Sequence, residues 1–115
     1  MYKMSYAEVM EGSATEARER ERSALDHAIE LMRLAEAKGV ASPEASEAVQ
    51  YVQRLWQFFI ENLTDPHNEL AANLKSDLIS IGLWTIAESD RILSDSSKNF
   101  SALIDINKTI RDGLA

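Results

Sequence analysis

Apolar residues recur along the chain at spacings of three and four, which places their side chains on one face of an α-helix. Three long stretches show this pattern: Leu25–Ala35, Val49–Leu63 and Leu74–Leu93. A shorter stretch, Phe100–Ile110, repeats it near the end of the chain. No segment alternates apolar and polar residues in the manner of a strand. The pattern predicts an all-α fold, an antiparallel bundle of about four helices.

A short helical segment is predicted at the amino-terminal end. Its larger apolar side chains are also spaced by three and four: Tyr2, Tyr6, Val9 and Met10. We expect this segment to stop at Gly12, because glycine is a poor helix former. Ser13 and Glu16 then have the Ser-x-x-Glu spacing of a capping box, in which each side chain bonds the other residue's backbone N–H. The first long helix is therefore predicted to begin at Ser13.

Acidic and basic residues alternate in the first turns of that helix, from Glu16 to Arg22. Pairs such as Glu16 with Arg20 lie on one helix face and contribute about 0.2–0.5 kcal/mol each. The run is typical of a solvated, ion-paired surface. The alternative interpretation is a charged stripe that docks a partner.

Turn residues predict the next helix boundaries. Gly39 is suited to the left-handed conformation that ends many helices. Ser42 followed by Pro43 provides an N-cap and a pre-organised first helical residue, so the second helix should begin there. Asp65 and Pro66 end the second helix, and the third begins at Leu70 or Leu74.

The third and last helices have distinct patterns. Apolar side chains cover nearly the whole circumference of Leu74–Leu93, which predicts a central helix surrounded by the others. Gly82 lies in its middle, where close approach of a neighbouring helix is the usual reason for a glycine. Ser97 is a plausible cap for the last helix, and Gly113 should close it.

Composition sets limits on domain number and location. The chain has 115 residues, which corresponds to a single helical domain, residues 1–115. It has no run of about 20 apolar residues that could span a membrane. The amino-terminal segment lacks the features of a secretory signal, so we expect a cytoplasmic protein.

Charge and residue types also limit the possible chemistry. A net charge of −7 disfavours nucleic acid, and the absence of cysteine excludes thiolate sites. His27 and Glu30 are spaced as two metal ligands, but one helix supplying two ligands leaves a metal undercoordinated. We find no nucleophile motif and no phosphate-binding glycine loop. The sequence predicts a protein that is not an enzyme and has neither a metal nor another cofactor.

The apolar residues of the later helices exceed what two-sided packing needs. One interpretation is a groove for the helix of a partner protein. The other is that residues such as Trp56, Phe59, Trp84 and Ile104 fill the core. The pattern alone leaves both open.

Several segments, in order along nearly the whole chain, resemble the FlaF family of flagellar regulators and flagellin chaperones. They are Tyr6–Met10, Ala17–Arg22, Arg54–Trp56, Asp77–Trp84, Ile106 and Ile110–Leu114. The resemblance implies a cytoplasmic helical protein that binds flagellin and supports its synthesis and its export by the type III secretion system. It also implies the regulator FlbT as a possible partner. An alternative role is control of flagellin translation, through FlbT or through contact with the flagellin mRNA.

The terminal regions of flagellin are amphipathic and remain unfolded until assembly, so an apolar groove on a small acidic bundle suits them. Candidate contact residues are apolar or aromatic positions that the core needs least, together with two arginines that could pair with acidic groups of a partner. They are Tyr2, Tyr6, Val9, Met10, Arg54, Trp56, Trp84 and Arg111.

Overall fold

Four α-helices make up the computed structural model, which describes residues 6–95 and 98–113, with side chains from residue 15 onward. The helices are α1 Tyr6–Lys38, α2 Pro43–Thr64, α3 Ala72–Ser94 and α4 Ser101–Asp112. These residues contain no strand. The predicted all-α helical bundle is confirmed.

The first helix is longer than the sequence predicted. α1 is continuous over 33 residues, about 50 Å at the usual rise per residue. The amino-terminal segment is helical from Tyr6, where the described residues begin, but the predicted break at Gly12 is wrong, and Ser13 lies inside the helix rather than at its cap. A single interior glycine costs only about 1 kcal/mol, which the helix-forming residues on both sides offset.

The connection between α1 and α2 follows the predicted turn chemistry. Gly39 has φ of +96°, and its N–H donates to the carbonyl of Ala35 over 2.8 Å. Ser42 caps α2, because its Oγ accepts a hydrogen bond from the N–H of Ala45 at 3.2 Å. Pro43 takes the first helical position. Both predicted boundaries are confirmed.

The later boundaries differ slightly from the predicted ones. α3 begins at Ala72, between the two predicted starts. α4 begins at Ser101, with Phe100 at its N-cap position, which is later than the predicted start after Ser97. It ends at Asp112 with Gly113 as its C-cap, as predicted. The predicted cap, Ser97, lies outside the described residues.

Neighbouring helices run antiparallel in the order α3, α2, α1, α4. Gln53 of α2 donates a hydrogen bond to Ser89 of α3 over 3.0 Å. Arg111 and Asp26 join the end of α4 to the middle of α1 at 2.7 Å. α3 and α4 stand at the two edges of this arrangement and have the sparsest backbone contact of the helix pairs that touch. The bundle is therefore open along one side.

The hydrophobic core lies between α1, α2 and α4, and α3 contributes one face to it. Its buried apolar side chains are Leu25, Ala28, Ile29, Met32, Ala35, Ala45, Ala48, Val49, Val52, Trp56, Leu63, Ile92, Phe100 and Leu103. α2 lies between α1 and α3 and supplies the largest of these side chains, Trp56.

The prediction that α3 is the central helix is wrong. Its buried residues are confined to one stripe, Gly82, Thr85, Ser89 and Ile92. Leu83 and Trp84 are 58% and 40% exposed. The reason is that α3 packs closely against α2 alone, so most of its circumference has no helical neighbour.

The predicted reason for Gly82 is confirmed. A Cβ atom at this position would stand 2.9 Å from Cε3 of Trp56 and 3.1 Å from Cδ1 of Ile60. α2 and α3 therefore approach at a point where no side chain fits between them.

Candidate protein-binding groove

An apolar groove of about 610 Å³ lies along the open side of the bundle, between α3 and α4. We call it the α3–α4 groove. Its lining residues come from these two helices alone: Ser80, Ile81, Trp84, Ala102, Asp105, Ile106 and Thr109. Most of the lining surface is apolar. Apolar surface that is grouped in this way often marks a binding site.

The α3 wall of the groove contains Ile81 and Trp84. Helical spacing places them beside the stripe that packs on α2, so they point past α2 toward α4. Ile81 is half-buried, and Trp84 is exposed. An indole with this exposure holds a large apolar area in water, and tryptophan is enriched where proteins bind one another.

The α4 wall contains Ala102, Asp105, Ile106 and Thr109, which recur at spacings of three and four. The adjacent face of α4 carries the fully buried Leu103. α4 thus has two distinct apolar surfaces, one in the core and one in the groove.

Hydrogen bonds to α2 and α1 hold α4 in its position. In the core, Trp56 Nε1 donates to Asn107 Oδ1 over 2.9 Å, and Asn107 Nδ2 donates to the carbonyl of Leu103 over 2.7 Å. At the start of α4, the Phe100 N–H donates to Glu36 Oε2 over 2.7 Å. Because these contacts tie α4 to α2 and α1, the groove does not need α3–α4 packing to keep its shape.

The groove has a negative edge. Asp105 is the only charged residue among the described residues that line it. Glu88 lies one turn after Trp84 on α3, but Lys98 pairs with it at 3.0 Å and Arg91 lies 3.7 Å away. The carboxylate of Asp105 is therefore the charged group of the lining itself.

A second, smaller cavity of about 150 Å³ lies near the end of α2. Its lining residues include Phe59, Leu63, Leu78, Ile110 and Glu21. Burial raises the pKa of Glu21, against the opposing effect of Arg18 and Arg20. This cavity is too small for a segment of a partner protein.

A comparison with known protein families shows to which family the chain belongs. The family model described as flagellar protein FlaF matches residues 2–114. The chain belongs to the FlaF family. No match was found among curated proteins or among solved structures. Membership of the FlaF family suggests a flagellar role.

The described residues of this FlaF family member lack two kinds of feature, a metal-binding cluster and a membrane-spanning helix. They contain no group of three or more His, Cys, Asp or Glu that could hold a metal ion. Within the same residues, no helix has the length and hydropathy needed to cross a membrane.

The residues predicted as flagellin contacts do not form one site. Trp84 lies in the α3–α4 groove. Trp56 is 1% exposed and belongs to the core, so its assignment as a contact is corrected. Arg111 is paired within the chain, with Asp26 at 2.7 Å and Asp112 at 3.1 Å, and its role as a contact stays a prediction. Arg54 is exposed on α2 and is not among the residues that line the groove.

The amino-terminal candidates have a different outcome. Tyr2 lies outside the described residues. Tyr6, Val9 and Met10 lie in the first turns of α1, and their side chains are outside the described part of the chain. Their role in binding stays a prediction.

Sequence reasoning missed most of the groove. It assigned Ile81 to the core, against which this half-buried side chain does pack, but it did not place Ile81 in the groove. It gave no role to Asp105 and used Ile106 only as part of the family resemblance. The useful signal was Ile106, which lies at the edge of the stripe containing Leu103 and Ile110 and widens the apolar surface of α4.

Proposed function

We propose that this FlaF family member binds flagellin in the cytoplasm and acts as a non-enzymatic chaperone and regulator that promotes flagellin synthesis and export. The observation that carries the proposal is the α3–α4 groove, an apolar surface beside the exposed Trp84. Family membership supplies the flagellar context.

Physical chemistry supports a chaperone that holds an amphipathic segment. Such a segment, unfolded before assembly, exposes apolar side chains that would otherwise associate with other copies. Moving this area from water into the groove yields about 25 cal/mol per Å². The cost of ordering the segment offsets part of that gain, so binding should be moderate and reversible, as export requires.

Calorimetric titration tests the proposal directly. The purified protein is titrated with full-length flagellin and with flagellin truncated at either end. We expect saturable one-to-one binding that one of the two truncations abolishes, which would also locate the bound segment. If no heat of binding is seen at concentrations on the order of tens of micromolar, flagellin is not the partner. FlbT or the flagellin mRNA would then be the next candidate partner to test by the same titration.

A further inference from the structure

We infer that the α3–α4 groove accepts one amphipathic helix whose apolar stripe is bordered by basic residues, and that Trp84 and Asp105 select it. The inference rests on the proposed function only in taking flagellin as the protein that supplies the helix. The form of the occupant follows from the groove itself.

The walls of the groove favour a helix over an extended segment. Both walls are helices, whose interior backbone groups are hydrogen-bonded within the helix. An extended segment would find no strand edge here and would bury unpaired N–H and C=O groups. A helix pairs its own backbone N–H and C=O groups, and its side-chain ridges can pack between those of α3 and α4.

The length of the groove sets the length of the contact. On α4 the lining runs from Ala102 to Thr109, about 10 Å or two helical turns. A helix placed along it would present three apolar side chains, at positions i, i+3 or i+4, and i+7. Ile81, Trp84 and Ile106 provide the opposing surfaces.

The negative charge at the edge of the α3–α4 groove determines which residues should border the apolar stripe of the bound helix. Asp105 faces the groove, whereas Glu88 already has Lys98 as its partner. Asp77, also exposed, lies one turn before Ile81 on the same side of α3. A lysine or arginine beside the stripe would meet a carboxylate, and a glutamate would meet a like charge. The groove should therefore discriminate by charge.

The same charges disfavour a second copy of this chain as the occupant. Each copy has 12 basic and 19 acidic residues, a net charge of −7. Like net charges oppose the association of two copies. A partner helix with a basic border is attracted instead.

Three designed helical peptides of about 18 residues test the inference. The first has a leucine stripe bordered by lysines, the second has the same stripe bordered by glutamates, and the third scrambles the first so that no stripe remains. Affinity is measured by calorimetry. We expect the lysine-bordered peptide to bind about tenfold or more tightly than either of the others.

Four variants locate the binding surface. Trp84→Ala should weaken binding of the first peptide about tenfold, because an aromatic anchor is lost. Asp105→Lys should reverse the preference between lysine and glutamate borders. Leu83→Ala is the control for an exposed apolar residue outside the groove, and Glu47→Lys is the control for charge on the outer face of α2. Both controls should leave affinity unchanged.

Several outcomes would overturn the inference. Equal binding of the lysine- and glutamate-bordered peptides would show that the groove does not select by charge. Equal binding of the scrambled peptide would show that the groove does not require an amphipathic helix. Concentration-dependent dimers in light scattering that Trp84→Ala dissociates would make a second copy the occupant.

The same variants, titrated with flagellin, separate this inference from the proposed function. Flagellin binding that neither Trp84→Ala nor Asp105→Lys changes would preserve the function and overturn the groove assignment. Peptide binding with the expected selectivity, but no flagellin binding, would preserve the groove and overturn the function.

Discussion

At the scale of single residues, a buried polar pair sets the position of α4. Trp56 and Asn107 are fully buried and joined by a 2.9 Å hydrogen bond across the core. Asn107→Leu should lower the free energy of unfolding by about 1–3 kcal/mol, because it leaves the buried indole N–H without an acceptor. Urea unfolding followed by circular dichroism measures the change.

A double-mutant cycle isolates that hydrogen bond from other effects of the substitution. Adding Trp56→Phe removes the orphaned donor, so the second substitution should cost less in the Asn107→Leu background than in the wild type. Additive losses would mean that the hydrogen bond contributes nothing beyond the packing of each side chain.

We expect Glu21 to make the stability of the protein depend on pH. Burial raises the pKa of its carboxyl, so the charged form disfavours folding above that pKa, and protonation relieves the cost as the pH falls through it. Glu21→Gln should therefore melt at a higher temperature than the wild type at pH 7. The difference should shrink as the pH falls to about 4, near the ordinary glutamate value.

Melting curves between those two pH values test this prediction. Glu19→Gln, at an exposed position of the same helix, is the control for the loss of one negative charge. A pH-independent difference between Glu21→Gln and the wild type would show that the titration of Glu21 does not control the effect.

At the scale of helices, the close approach of α2 and α3 depends on Gly82. Alanine favours a helix over glycine by about 1 kcal/mol, but here its Cβ would stand 2.9 Å from a ring that Asn107 holds in place. Overpacking of this kind costs about 1–3 kcal/mol. Gly82→Ala should therefore lower the free energy of unfolding, by up to about 2 kcal/mol.

Gly113→Ala is the matched control. Gly113 has φ of −76°, and an added Cβ would meet nothing nearer than the Ile110 carbonyl oxygen at 3.4 Å. This substitution should leave stability unchanged or raise it slightly. If urea unfolding gives both variants the same stability as the wild type, the contact at Gly82 is not tight.

Helix boundaries were predictable where a local motif determines them. Ser42 and Pro43 start α2 through contacts within four residues, and Gly39 ends α1 through its own backbone angle. Gly12 and Ser13 have comparable local signals, but there the helix continues. A capping box stabilises a helix start, but it competes with continuation of the helix, and the two differ little in free energy.

At the scale of the whole molecule, the sequence indicated more apolar surface than the core needs but did not locate the surplus. The exposure of Trp84 depends on which helices pack together. The apolar residues around the circumference of α3 had predicted that the whole helix was surrounded by others. The burial of Trp56 depends likewise on its partner Asn107, 51 residues away. Local periodicity identifies apolar faces, and only the packing of all four helices shows which face stays open.

The two tryptophans, one buried and one exposed, allow the groove to be monitored in the complete protein. Trp84 is 40% exposed and Trp56 is 1% exposed, so acrylamide should quench mainly the fluorescence of Trp84. Flagellin bound in the groove should reduce this quenching and shift the emission to shorter wavelength, because the indole leaves water. With Trp84→Phe, the remaining emission should respond little to flagellin, although binding itself persists in calorimetry. Unchanged quenching in a complex that calorimetry shows to be saturated would place flagellin on another surface, of which the amino-terminal turns of α1 are the first to test.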